Sequence, residues 1–244
     1  MKRKPQRQQG KKRKPQGSPS AREVAVLYED DAVVALDKPA GLLAVPIKGS
    51  DTPSAWSLLA AELKQRRQRA FVVHRIDRFA SGILLFAKTT RDRNALVEQF
   101  LAHTPKREYL AVVRGTVTSK GGTLVHYLRR QGMHQQLRNE RDKHATRAEL
   151  RYSVEQQFAD AAFVRVELVT GLQNQIRAQF AAIGNPLIGD RKYRPEEAEE
   201  SRIQRVALHA AKLQFKHPRT GEAVSLHSKP PADFEHLLRV LSRT

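Results

Sequence analysis

The pentapeptide His-Arg-Ile-Asp-Arg at residues 74–78 places one acidic residue, Asp77, between two arginines. Nearby cations favour the ionised form of a carboxyl group, so this pattern predicts a charged aspartate. A serine-glycine pair follows and opens an apolar run over residues 83–87, which predicts a buried strand. An ionised carboxylate at the mouth of a buried strand can act as a nucleophile or a base. A lone aspartate is more often a member of a structural ion pair, and the residue types alone leave both interpretations open.

Strands and helices on both sides of this stretch must hold Asp77 in place. Apolar segments between turns predict further strands near residues 24–28, 32–36, 71–73, 108–114, 149–154, 163–169 and 206–215. Apolar residues at helical spacing predict helices over 53–67, 90–102, 173–183 and from 231 onward, the first opened by Thr52-Pro53 and the second capped by Thr90. Strands outnumber helices and hairpins join several of them. The predicted fold class is therefore α+β, with a mostly antiparallel mixed sheet and flanking helices.

Two segments are cationic and lack core residues. Residues 121–148 contain Arg129 and Arg130 and predict a long hairpin or loop that reaches into solvent, either as a charged solvated surface or as a contact for a polyanion. Residues 1–20 hold eight cations and no acid, which predicts a disordered tail that adds phosphate contacts or only keeps the chain soluble. One folded domain is expected over residues 21–244.

Composition and charge narrow the class of protein. Lys and Arg total 44 against 25 acids, giving a net charge of +19, and such an excess attracts polyanions, most commonly nucleic acid. No apolar run is long enough to span a bilayer, and no hydrophobic signal core is present at the N-terminus. The chain has no cysteine and therefore no disulfide or thiolate metal site, so we expect a cytoplasmic protein.

Five stretches in order resemble the RluA family of pseudouridine synthases. His74 to Lys88 is similar to the signature that carries the catalytic aspartate of the family, and residues 107–115 resemble the strand with its active-site tyrosine. The other three stretches are residues 26–41, residues 171–193 and residues 208–222. The resemblance covers residues 24–235, and five ordered motifs are far more specific than any one of them.

The resemblance implies the pseudouridine synthase catalytic fold, an enzyme that isomerises uridine in ribosomal or transfer RNA, and no cofactor or metal. It assigns catalysis to Asp77, to Tyr109 as an aromatic that stacks on uracil, and to Arg177 as the basic partner of the aspartate. Predicted substrate-binding residues are His74, Arg75, Arg78, Gln175, Arg129 and Arg130. Of these, His74 and Arg75 are expected to be structural or to face phosphates.

Two departures from the family pattern affect the predicted RNA contacts. Ala80 stands where the family usually has threonine, and Leu172-Gln173-Asn174 replaces Arg-Thr-His in the motif that ends at Arg177. The second departure leaves open another function, a non-catalytic RNA-binding protein of ribosome assembly on a degenerate synthase scaffold. In either case we expect a monomer that binds RNA, without the S4 domain that precedes the catalytic region in many relatives.

Overall fold

The computed structural model describes residues 24–132, 134–194 and 200–243, so the predicted tail at 1–20 lies outside the described residues. Within them, eleven strands form a single sheet in the order β1-β2-β4-β10-β5-β9-β8-β6-β7, with β11 paired to β10 and β3 to β4. The strands are β1 (Ala25–Glu29), β2 (Val33–Lys38), β3 (Phe71–Val72), β4 (Ser81–Ala87), β5 (Lys106–Arg114), β6 (Gly121–Gln131), β7 (His134–Arg138), β8 (Thr146–Gln157), β9 (Ala161–Leu168), β10 (Leu208–Lys216) and β11 (Ala223–His227). The helices are α1 (Ala55–Gln65), α2 (Thr90–Leu101), α3 (Gln175–Ala182) and α4 (Ala232–Leu241).

One pair of strands, β4 and β10, is parallel, whereas the other pairs among the described residues are antiparallel. This is the mostly antiparallel mixed sheet that the sequence predicts. Every residue of β4 is buried, because helices cover both faces of the sheet at its centre. Alternate residues of such a strand point to opposite faces, so a continuous apolar run is needed to fill both cores.

The four helices divide between the two faces. Leu96 of α2 packs with Ile83 and Leu85 on one face, where α3 also lies, and α1 packs against Leu84 and Phe86 on the other. The apolar stripe of α4, Phe234, Leu237 and Leu241, covers Val112 of β5 on the face of α1.

The helix starts differ slightly from the prediction. Ser54, not Thr52, caps α1, because its hydroxyl accepts the Ser57 N–H while the Ser57 hydroxyl accepts the Ser54 N–H in a capping box. Thr89 rather than Thr90 caps α2, and its hydroxyl accepts the Asp92 N–H at 3.1 Å.

The cationic segment at 121–148 is a hairpin rather than a loop. Strand β6 pairs with β8 over eight residues and with β7 over five, which carries the sheet beyond the covered core. Arg129 and Arg130 are exposed on this hairpin. In the described part of the chain, no helix is long and apolar enough to cross a membrane.

Candidate active site

The position of Asp77 follows from the register of three adjacent strands. Gly82 at the start of β4 is level with Ala210 of β10, and Ala210 is level with Tyr109 of β5. The loop that leads into β4 therefore carries Asp77 to the same end of the sheet as Tyr109, and the two side chains line one cavity.

An arginine holds the Asp77 carboxylate. Nη1 of Arg177 lies 3.3 Å from Oδ2 of Asp77, and both side chains are largely shielded, with 8% and 17% of their surface exposed. Asp190 binds the other side of the same guanidinium with two hydrogen bonds, from Nε to Oδ2 at 2.7 Å and from Nη2 to Oδ1 at 2.6 Å. Burial alone would lower the pKa of Arg177, but Asp190 and Asp77 raise it, so the guanidinium stays charged.

Asn174 supports this pair from the start of α3. Its backbone has a φ of +54°, a left-handed conformation that asparagine tolerates better than most residues, and its Oδ1 accepts a hydrogen bond from Nη1 of Arg177 at 3.0 Å. The residue that replaces the histidine of the family motif therefore orients the basic partner of Asp77.

Asp190 depends on the glycine before it. Gly189 has a φ of +74°, and a Cβ at this position would lie 2.1 Å from the carbonyl oxygen of Arg205. Only glycine allows the turn to approach the Arg205 backbone so closely. This approach buries Asp190 behind Arg177.

Tyr109 is buried beside Asp77 and retains a neutral hydroxyl. Burial raises the pKa of Tyr109 to about 12; the charge of Arg107 lowers it and that of Asp77 raises it. The side chain is 9% exposed and lines the cavity, so that an aromatic face and a hydroxyl are both available to a base bound there.

Two cavities meet at Asp77. The basic cavity, of about 480 Å³, has an apolar wall formed by residues 43–47 and Phe79, and it is also lined by cations of several loops, Arg75, Arg78, Arg191, Lys192 and Arg205. The tyrosine cavity, of about 450 Å³, is lined by Tyr109, Arg107, His74, Phe100 and Leu101. Asp77, Asn174 and Arg177 border both, so one cleft offers a cationic half for phosphates and an aromatic half for a base.

A buried lysine fixes the rear of the Asp77 loop. Nζ of Lys38 donates to the carbonyl oxygens of Pro39, Leu42 and Arg78 at 2.8, 2.9 and 3.0 Å. The backbone of the catalytic loop is thereby tied to the turn after β2.

Four of the predicted substrate-binding residues are arginines, two at the cleft and two on the β6–β7 hairpin. Arg75 and Arg78 are exposed at the cleft, and Arg78 donates from Nε to the Gly41 carbonyl at 2.9 Å. Arg129 and Arg130 lie on the β6–β7 hairpin and do not line either cavity; Arg129 is 3.4 Å from Asp142.

His74 has a structural contact. Its Nε2 accepts the backbone N–H of Leu85 at 3.0 Å, and its ring stacks on Phe100 with centroids 4.6 Å apart. Burial, with a smaller effect of the charge of Arg107, lowers the pKa of His74 to about 3, so that this ring is neutral at physiological pH.

Gln175 borders the tyrosine cavity, and its side chain is held by hydrogen bonds within the protein. Its Oε1 accepts from Thr170 and from the Leu172 N–H, while its Nε2 donates to the Glu149 carbonyl and to Gln179. Both acceptor sites and both donors are used inside the protein, which gives Gln175 a structural role and leaves it no hydrogen bond for substrate.

Several residues of the site were not assigned a role from the sequence. Asp190, Lys38 and Arg107 appear in the family-like stretches, but a sequence does not reveal which charges meet. Among the described residues, no group of three or more His, Asp or Glu side chains is arranged to hold a metal ion.

Comparison with known proteins gives a single family. A family model for RNA pseudouridylate synthase matches residues 32–182. A ribosomal large subunit pseudouridine synthase D of Pseudomonas aeruginosa is 34% identical over 232 residues, 90% of this chain and 72% of the relative. An uncharacterized RNA pseudouridine synthase of Bacillus subtilis is 34% identical over 89% of this chain and 73% of its own length. Relatives from Neisseria meningitidis are longer, and the chain spans 60% of their length.

Solved structures agree in fold. The human RNA pseudouridylate synthase domain containing 4 superposes with a TM-score of 0.73 over 89% of this chain and 92% of its own, at 20% identity. The chain belongs to the RNA pseudouridine synthases, the enzymes that convert uridine in RNA to pseudouridine. This membership confirms the predicted family, the α+β fold class and the assignment as an enzyme.

Proposed function

We propose that the protein isomerises specific uridines in ribosomal or transfer RNA, with Asp77 as the catalytic carboxylate. The observation that carries this proposal is the contact of Asp77 with Arg177 at the floor of a cleft that also contains Tyr109. The names of the relatives favour ribosomal RNA as the first substrate to examine.

We assign the RNA phosphates to one cavity and the target uridine to the other. The reaction detaches uracil from its ribose and rejoins it through C5, and it consumes no cofactor. Phosphates of the RNA strand would lie along the basic cavity, while the target uridine leaves its stack and enters the tyrosine cavity. Asp77 then acts at the sugar, either by covalent attack or by promoting loss of the base.

Arg177 holds the carboxylate without neutralising it. Asp190 already supplies one negative charge to the guanidinium, so the group of Asp77, Arg177 and Asp190 carries one negative charge overall. The single contact to Arg177 leaves the other carboxylate oxygen of Asp77 available to react.

RNA contacts at the cleft would come from Arg75 and Arg78, and contacts outside it from Arg129 and Arg130. We further propose that residues 21–244 are the catalytic domain, that the protein works as a monomer, and that it acts in the cytoplasm.

Replacement of Asp77 by asparagine tests the function. The Asp77→Asn variant keeps the size of the side chain but loses the charge that attacks, so pseudouridine should disappear from the target sites while RNA binding persists. Mapping of pseudouridine in ribosomal and transfer RNA from cells that carry either form provides the measurement. If every site of the wild type remained in the variant cells, the enzyme would not use Asp77, and the assembly role would be favoured.

A further inference from the structure

Arg107 is a buried cation in the tyrosine cavity, and none of the roles above uses it. It precedes Tyr109 by two residues on β5, so the two side chains leave the strand on the same face. Arg107 is 7% exposed and lines the cavity together with Tyr109 and Asp77.

No carboxylate of the described residues forms an ion pair with Arg107. Its hydrogen bonds are two long ones, from Nη2 to the carbonyl oxygens of Leu168 at 3.5 Å and Val169 at 3.3 Å, and its buried Nε has no partner. A guanidinium has five N–H donors, so most of its capacity is unused. Burial lowers the pKa of Arg107, which reflects the free-energy cost of placing this charge here without a counter-charge.

The position of the guanidinium is nevertheless fixed. Its carbon lies 5.8 Å from the centre of the Phe100 ring, and a Cβ at Gly171 would lie 2.4 Å from Nη1. Glycine at 171 thus makes the space that the guanidinium occupies. A donor that is held in place and left unpaired has the character of a preorganised binding group.

The reaction creates a negative charge that fits this group. When the bond between C1′ of the ribose and N1 of uracil breaks, its electron pair leaves with the base and spreads over N1, O2 and O4. C5 of the base then forms the new bond to C1′, and the proton that C5 loses is balanced by the proton that N1 gains, so the step is an isomerisation overall. With the sugar at Asp77 and the base along Tyr109, the base would share its cavity with Arg107, which lines the same space.

We infer that Arg107 is a further catalytic residue, which stabilises the negative charge on the uracil as it leaves the sugar. This inference rests on the proposed function. It differs from phosphate binding, because a phosphate is charged before the reaction starts and would gain the contact in the ground state, whereas uracil becomes an anion only as the bond breaks.

Two substitutions separate charge from packing. Arg107→Met keeps the length of the side chain and removes the charge, and Arg107→Lys keeps the charge. The substrate is an RNA oligonucleotide that carries a mapped target uridine. On it, Arg107→Met should lower the single-turnover rate constant by about 100-fold without weakening RNA binding. Arg107→Lys should retain most of the rate. Lys106→Met, which removes one exposed charge from the same strand, is the matched control and should behave as the wild type.

Stability provides a second readout. Because Arg107 is a buried and largely unpaired charge, the methionine variant should unfold at the same temperature as the wild type or at a higher one. A structural arginine would give the reverse, with a lower unfolding temperature that accounts for the lost activity, and this outcome would overturn the inference.

The leaving base can also be varied. Fluorine at C5 withdraws electrons and stabilises the uracil anion, but it also replaces the proton that C5 must lose, so the step to measure with 5-fluorouridine at the target is breakage of the C1′–N1 bond. This step should suffer a smaller loss from Arg107→Met than the same step does with the uridine substrate. An equal loss on both substrates, a raised KM with unchanged kcat, or full activity of Arg107→Met would each overturn the role of Arg107. In all three cases the wild type still forms pseudouridine; a wild-type protein without activity would instead refute the proposed function itself.

Discussion

At the residue scale, the reactivity of Asp77 depends on Asp190. A free arginine at 3.3 Å would hold the Asp77 carboxylate in a closed ion pair and reduce its tendency to attack. Two short hydrogen bonds that Arg177 donates to Asp190 direct the guanidinium away from such a pair and leave a single contact to Asp77. Asp190 therefore limits how tightly Arg177 can bind Asp77.

The burial of His74 predicts how the free energy of unfolding depends on pH. The pKa of this ring is lowered to about 3 in the folded protein, whereas the unfolded chain titrates near 6.5. Between these values the unfolded chain binds more protons, so stability is lost as pH falls through that window. In His74→Gln, which keeps an acceptor for the Leu85 N–H, the dependence of the unfolding free energy on pH should be weaker by about 1.4 kcal/mol per pH unit near pH 5.

Chemical denaturation at several pH values between 7 and 5 measures this slope. His103→Gln is a suitable control, because His103 is exposed on the rim of the same cavity. Identical slopes for the wild type and His74→Gln would mean that His74 is not buried in its neutral form.

The resemblance to a known family predicted the pairing of Arg177 with Asp77, which the structure contains, but it did not predict the contacts of the other charged residues. Asp77, Tyr109 and Arg177 could be named because each stands in a stretch that resembles a known family. Arg107 stood in the same stretch as Tyr109, and its importance comes from the absence of a partner. Such an absence depends on which chains pack around a side chain, and a linear sequence does not contain that information.

At the scale of elements, the β6–β7 hairpin is connected to Arg177 through Tyr193. The Tyr193 hydroxyl accepts the backbone N–H of Gln135 in β7 at 2.9 Å. On its other side, the Arg177 guanidinium lies 5.4 Å from the centre of the Tyr193 ring. One side chain thus joins a strand of the basic hairpin to the group that holds Asp77.

Tyr193→Phe should separate these two contacts. The ring against Arg177 remains, while the hydrogen bond to β7 is lost, at a cost of about 1 kcal/mol. We expect weaker RNA binding by roughly fivefold with kcat unchanged, because the hairpin is held less firmly. Tyr193→Leu removes the ring as well and should also lower kcat.

Binding and single-turnover measurements on the same oligonucleotide distinguish the two effects. Unchanged affinity in Tyr193→Phe would indicate that the hairpin does not contact the RNA.

Gln175 was assigned to the substrate because it stands in one motif with Arg177. Residues two apart on a helix point about 200° away from each other. Gln175 accordingly bonds to the Glu149 carbonyl, although it also borders the tyrosine cavity. The sequence also did not predict β11, because this five-residue strand pairs with β10 alone and only Leu226 of it is buried.

At the scale of the whole molecule, positive charge should govern RNA affinity. The chain carries a net charge of +19, and contacts between cations and phosphates release counterions, which makes binding weaker as salt increases. Deletion of residues 2–20 removes eight of these cations. We expect a lower affinity at low salt and a smaller dependence of affinity on salt, with the rate of the chemical step unchanged.

A protein of full length with those eight cations replaced by glutamine is the matched control, and it should bind as the deletion does. Affinity equal to the wild type at every salt concentration would show that these charges make no contact with RNA.

The place of β10 between β4 and β5 has a consequence for synthesis on the ribosome. Ser81 and its neighbour in the sheet, His209, are 128 residues apart in the chain. Closing so long a loop costs conformational entropy, and contacts of such large sequence separation form slowly. A nascent chain that ends before residue 208 already contains Asp77, Tyr109 and Arg177, yet it lacks the strand that brings the first two level with each other. The growing polypeptide can therefore attract RNA through its exposed cations long before it can modify a nucleotide, and catalysis begins only after β10 has been translated and inserted.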